Sequence, residues 1–286
     1  MWSLLEYFAE DVRINIVDIG AALIEMPPYQ PLVDAGRGNI IGFEPNVEEC
    51  GRLNQAYGKP HRFFPYFIGD GQPATFYETN WAPTGSLYAT DQALLGMFQN
   101  LSEVATPVAE HAITTKRLDD LHEIADVDFF KIDAQGSELA VFQNALRILS
   151  ETAVIQTEVA FVQGYVGGPL FADVDIFLRG AGFKFHAFRY IDGRRFKPPT
   201  HNKDIDGNYA QALWADAIYV RDWMKLDSLD AAKLQKYAIV MHDLFQAFDL
   251  AHLVLTALDK KTGGNVAAQY LLRLNDEKDG PRQTKT

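Results

Sequence analysis

Short apolar runs recur along the 286-residue chain, at Ile14 to Ile19, Ile40 to Phe43, Phe63 to Ile68, Val127 to Ile132 and Ala153 to Thr157, with helical or loop segments between them. Several end in Gly, Asp or Glu. Runs that are apolar on both faces are what a parallel sheet covered by helices demands, so the pattern predicts an α/β fold built from βαβ units. Phe183 to Tyr190 and Ala212 to Val220 predict two more strands, joined by a polar loop from Asp192 to Asn208 that carries Gly193, Pro198, Pro199 and Gly207. Within that loop, Asp204-Ile205-Asp206-Gly207 lacks the glycine spacing and closing Glu of a calcium loop and reads as a solvated turn.

From Asp227 the texture changes to helix formers. Leu234, Ala238, Met241, Phe245 and Phe248 fall on one face at steps of three and four, which predicts a helix capped by Asp227 or Ser228. Gly263-Gly264 breaks it before a helical pattern resumes from Asn265 to Leu274, and the polar residues Asp276 to Thr286 read as a frayed end. The expected division is therefore a sheet domain over 1–225 and a C-terminal helical extension over 226–286. Its amphipathic face must bury somewhere, as a dimerisation element or as a cover over a pocket.

Composition narrows the function classes. A hydrophobic share of 48% is that of an ordinary globular enzyme. The net charge of -12 repels phosphate backbones, and Arg194, Arg195 and Lys197 make the one dense basic run, so nucleic acid is not an expected partner. Cys50 is the single cysteine, which rules out an internal disulfide and a cysteine-rich zinc site and fits a cytoplasmic protein. The opening residues meet Glu6, Glu10 and Asp11 without a basic start and read as a short helix, not a leader; no apolar stretch reaches the roughly 18 to 20 residues of a membrane span.

Three landmarks carry chemistry. The first strand ends in Asp18-Ile19-Gly20-Ala21, a strand meeting a glycine where an open α/β sheet binds its ligand. The second ends in Glu44, placed to accept hydrogen bonds from the ribose of an adenosine cofactor. Gly20 to Glu25 lacks the second and third glycines that let a pyrophosphate approach a helix N-terminus. S-adenosylmethionine has no phosphate, and its sulfonium and amino-acid tail tolerate a side chain at Ala21 and welcome Asp18. The third landmark is Val127 to Glu138, a strand tipped by Asp133. Strand alternation puts Lys131 and Asp133 on one face, either as a site or as a structural pair.

Together these stretches resemble the FkbM-type methyltransferases. The matching residues are Asp18 to Ala21, Phe43-Glu44-Pro45-Asn46, Leu118-Asp119 and Asp128 to Glu138, within a resemblance over roughly residues 14 to 190. It implies a Rossmann-like class I methyltransferase sheet, mostly parallel with an antiparallel last strand, and S-adenosylmethionine bound by Asp18, Gly20, Ala21, Glu44, Pro45 and Asn46. It also implies O-methylation of a sugar, a glycan or a secondary metabolite. Ile24 stands where the family usually has glycine, and with Pro27-Pro28 close behind it implies a displaced, shortened helix. Gln135 stands where the family usually has Glu, which removes one candidate acid. Two looser matches place Asp70, in Ile68 to Gly71, within reach of the adenine edge and make Gly85-Ser86-Leu87 a closing loop or a plain one. Pro27-Pro28-Tyr29 is similar to the signature of DNA amino-methyltransferases but lacks the amide or carboxylate before the prolines and follows the wrong strand.

Methyl transfer needs an acceptor oxygen held in line and a group to take its proton. Asp133 is the first candidate base, Glu158 at the next strand tip the second and His186 the third. Asp133 and Glu158 as ligands of a divalent cation is a lesser reading, and no metal site is expected. Two other functions stay open: a dinucleotide-binding oxidoreductase using NAD, and a non-catalytic scaffold in which the altered Gly20 to Glu25 loop has lost its cofactor.

Overall fold

The computed structural model describes residues 2–22 and 26–276. Met1, residues 23–25, Ile24 among them, and residues 277–286 lie outside the described residues.

A short 3-10 turn, Leu4–Tyr7, precedes β1 (Ile14–Ile19), α1 (Gln30–Asp34), β2 (Gly38–Phe43), α2 (Val47–Tyr57), β3 (Arg62–Phe64) and β4 (Pro73–Thr79). Two one-turn helices, α3 (Gln92–Leu95) and α4 (Leu101–Val104), lead to β5 (Pro107–Thr114), β6 (Phe129–Ile132), α5 (Glu138–Gln143), α6 (Leu146–Glu151) and β7 (Val154–Ala160). The chain continues through α7 (Phe171–Gly180), β8 (Phe183–Asp192), β9 (Trp214–Arg221), α8 (Ala231–Asp243), α9 (Phe248–Thr262) and α10 (Val266–Asp276).

Seven strands form one sheet in the order β3-β2-β1-β6-β7-β9-β8. The pairs from β3 through β7 are parallel, and β9 runs antiparallel to both β7 and β8. This is the Rossmann-like class I methyltransferase arrangement. Strand order reverses beside β1, so the tips of β1 and β6 border the crevice in which such sheets hold ligands.

Two expectations are corrected. The strand read as Phe63 to Ile68 ends at Phe64, because Pro65 has no N–H to donate to the ladder. The helical pattern from Asp227 is a 3-10 turn followed by α8, capped by the Asp230 side chain, which accepts from the Lys233 N–H; the chain then breaks again before α9, where Gln246 takes a φ of 54°.

The two faces of the sheet differ. Val17, Ile19, Phe130, Ile132, Ile155, Val159, Ala217 and Tyr219 pack against α5, α6 and α7 along the full strand length. On the opposite face Ile14, Ile16, Ile40, Phe129, Val154, Ile218 and Val220 meet α2, α8, α9 and α10 in a single apolar cluster. The helical extension thus buries its amphipathic face on the sheet of its own chain: Leu234, Ala238, Met241, Ala251, Val254 and Leu255 have no exposed surface. That apolar layer covers only the N-terminal half of the face. Farther along the same strands, alternation brings up Asp18, Gly42, Lys131, Gln156, Glu158 and Asp216 instead. Among the described residues no helix is long and apolar enough to cross a membrane.

Candidate active site

The polar half of that face is laced together by backbone. The Gly20 and Ala21 N–H groups both donate to the Phe43 carbonyl, and the Asp133 N–H donates to the Ile19 carbonyl, which locks three strand tips side by side. Gly20 has a φ of 76°, and a Cβ there would strike the Asp133 carbonyl oxygen. Only glycine satisfies both conditions. Gly42, one strand over, leaves room in the same way, since a Cβ would run into the Phe63 ring.

Glu44 follows β2, largely buried, and its Oε1 accepts from the Asn46 N–H at 2.8 Å. Burial raises its pKa, against the lowering effect of that N–H. Pro45 and Asn46 turn the chain into α2, where the Asn46 side chain accepts from the Glu48 and Glu49 N–H groups as the cap. Asp18 is placed deeper than the others. It is 2% exposed and its two oxygens accept from the Tyr29 hydroxyl and, at 3.1 Å, from the Lys131 ammonium, so it braces the floor of the site. Burial works against the Lys131 charge, but Asp18 and Asp133 outweigh it and raise its pKa. The ion pair that Lys131 makes is with Asp18.

Asp133 and Glu158 come together at the tips of β6 and β7. The Gln135 amide nitrogen donates to Asp133 Oδ1 at 2.7 Å and to Glu158 Oε2 at 3.1 Å. The Gln135 Oε1 accepts from the Tyr165 hydroxyl at 2.8 Å, and its backbone carbonyl accepts from the Ser86 hydroxyl. Burial, then the neighbouring Asp133, pushes the Glu158 carboxyl well above the usual carboxylate range. Glu138, 4% exposed, accepts from the Ala134 and Gly136 N–H groups and holds the turn after β6; burial pushes it up to about 7. Asp216 on β9 sits across from Glu158 in the ladder and is raised first by burial and then by Asp133. A small cavity opens beside Glu158, lined also by Gly136, Glu138, Tyr165 and Val174.

His186 and Asp70 sit apart from this cluster. His186 lies mid-strand in β8, where the ladder to β9 shifts register, and burial lowers its pKa while Asp249 at the start of α9 opposes that. Neither Asp133 nor Glu158 is among the charges acting on it. Asp70 is exposed and accepts from the Thr115 hydroxyl and the Gln72 N–H. Gly85-Ser86-Leu87 lies over the turn after β6 through the Ser86 bond to Gln135. Among the described residues no three His, Cys, Asp or Glu side chains group as metal ligands.

Tyr165 and Asp216 were not singled out from the sequence, and Tyr29 was met only in the Pro27-Pro28-Tyr29 stretch that was set aside. Alternation within Ala215-Asp216-Ala217 assigns Asp216 a face, but only the antiparallel register shows that it faces Glu158. The two tyrosines come from loops, where no periodicity marks them.

The profile of the methyltransferase FkbM domain matches residues 18–185, more than half of the chain. Among curated proteins there is no significant match. Similar solved structures include the magnesium protoporphyrin IX methyltransferase of Synechocystis PCC 6803 with bound S-adenosylmethionine, 13% identical over 77% of this chain and 74% of that one, TM-score 0.39. They also include the StiE O-methyltransferase segment, 8% identical over 90% and 78%, TM-score 0.36. A third is a methyltransferase of Aquifex aeolicus, 10% identical over 75% and 87%, TM-score 0.28. Superpositions this loose bear no weight. The strand order, the ordered landmarks from Asp18 to Glu138 and the profile over 18–185 are what place this chain: it belongs to the FkbM methyltransferases, whose methyl donor is S-adenosylmethionine.

Proposed function

We propose that this protein transfers a methyl group from S-adenosylmethionine to a hydroxyl of a sugar, glycan or secondary metabolite, with Asp133 as the base. The observation that carries the reading is the polar half of one sheet face, where Gly20, Glu44, Asp133 and Glu158 converge at the switch in strand order. The residues fit the donor. Gly20 lets the β1 and β6 tips close on each other at the crevice, and Glu44 has lone pairs left for two ribose hydroxyls.

S-adenosylmethionine supplies an electrophilic methyl on a cationic sulfur that leaves as a neutral thioether. Everything else falls to the chain. Asp133 takes the proton of the acceptor hydroxyl as its oxygen bonds to the methyl carbon. Glu158, its carboxyl pushed toward the neutral form by burial and by Asp133, offers a hydrogen bond beside it in place of a second negative charge. The helical extension serves the site indirectly, by sealing the apolar half of the same face.

The test is methyl transfer from labelled S-adenosylmethionine to a panel of sugars, glycans and hydroxylated metabolites. A labelled methyl ether is expected. Label that appears only on nitrogen or carbon overturns the O-methylation reading.

A further inference from the structure

Gln135 is this chain's own departure at the site, and its surroundings give it a task. The residue takes a φ of 50° and is followed by Gly136 at 97°, a turn held by Glu138 through two backbone N–H groups. This turn aims the Gln135 side chain between two strand tips. The orientation of the amide is set by charge. If it were flipped, its carbonyl would face two carboxyl groups and its NH2 would face the Tyr165 hydroxyl. In the observed orientation both N–H bonds go to carboxyl oxygens and the carbonyl accepts from Tyr165.

We propose that Gln135 is a positioning residue for the base: its amide clamps Asp133 and Glu158 into one pair that shares a single proton and carries one negative charge. The proposal rests on the methyl-transfer reading of the site. Two carboxylates in contact cannot both ionise cheaply, so one proton stays with the pair. Two N–H donors stabilise the charge that remains. The groups facing the pair agree with this. Lys131 on β6 brings one positive charge and gives its direct contact to Asp18 on β1. Glu138 on α5, Asp216 on β9 and the Tyr165 hydroxyl from the loop after β7 supply no cation, and Arg189 on β8 acts on Asp216. A glutamate at position 135 would place a third carboxyl against the pair.

Infrared titration of the carboxyl C=O band, with S-adenosylmethionine calorimetry on the same samples, tests this without a known acceptor. The wild type is expected to show one protonated-carboxyl band that titrates at about pH 7 and is lost in Glu138→Gln, and a second that Glu158→Gln removes and Glu138→Gln leaves in place. The pH midpoint of that second band should rise by about one unit or more in Gln135→Glu, and by less in Gln135→Met, which deletes the donors without adding charge. A structural role alone would lower the melting temperature of the variants and leave the midpoint where it was. The proposal is overturned by the lack of a Glu158-dependent band in the wild type, or by an unchanged midpoint in both Gln135 variants. Wild-type protein that does not bind S-adenosylmethionine sinks the methyl-transfer reading instead, and the band still reports on the clamp.

Discussion

The sheet ends in acidic clusters at both edges, and they are answered differently. At the N-terminal edge Asp126 and Asp128 meet Lys233 and Lys236 from α8, four contacts between 2.6 and 3.0 Å. Asp128 is fully buried there and its second oxygen also accepts from the Asn15 N–H. At the C-terminal edge Asp133 and Glu158 meet an amide and each other, with Glu138 and Asp216 close by. Two carboxylates paired with two ammonium groups make a tether between α8 and the sheet. Carboxyl groups left without direct cations raise one another's proton affinity, a cost to folding that makes sense where a proton must be moved.

Substitutions can break that contrast. Asp133→Asn should lower methyl transfer by about 100-fold to 10,000-fold, the range for loss of a positioned base, while the unfolding midpoint stays level or rises. Turnover with the acceptor found by the labelled screen checks it. At the other edge Asp128→Ala should cost about 3 kcal/mol in urea unfolding, because Lys233 and Lys236 are left with Asp126 alone and the Asn15 N–H loses its acceptor. S-adenosylmethionine affinity, measured at a temperature where the variant is folded, should not change.

The third prediction concerns pH. Glu138 has its ordinary value near 4.5 when unfolded and about 7 when folded, so between those values the folded chain holds a proton that the unfolded chain has released. Stability from this group is therefore greatest at low pH and is lost as pH rises from 4.5 to 7, on the order of 2–3 kcal/mol. In Glu138→Gln the melting temperature should fall less over that range than in the wild type. Equal slopes would mean that Glu138 does not carry the effect.

What could be read from the sequence follows the same physics. The strands β1, β2, β6, β7 and β9 announced themselves because both faces or every second residue are buried, and Gly20, Glu44 and Asp133 were placed by their position at strand tips. The antiparallel pair β4 and β5 did not, because its side chains are mostly exposed or half-buried and carry no core pattern. The β3 run was read too long because apolar character continues past Pro65 while the ladder cannot. The contacts of Asp18 with Tyr29 and Lys131 were not legible, because contacts between side chains that only the folded chain brings together leave no periodic trace. The Gln135 departure was visible as a lost acid. Its partners were not, since they converge only when β6, β7 and the loop bearing Tyr165 are in place.

The smallest expected change bears most directly on the central claim, that the polar half of the sheet face holds the methyl donor. Titration calorimetry of S-adenosylmethionine into the wild type should give one site per chain, and into Glu44→Ala an affinity about tenfold weaker, near 1.4 kcal/mol. No binding to the wild type, or equal affinity in both proteins, would contradict it.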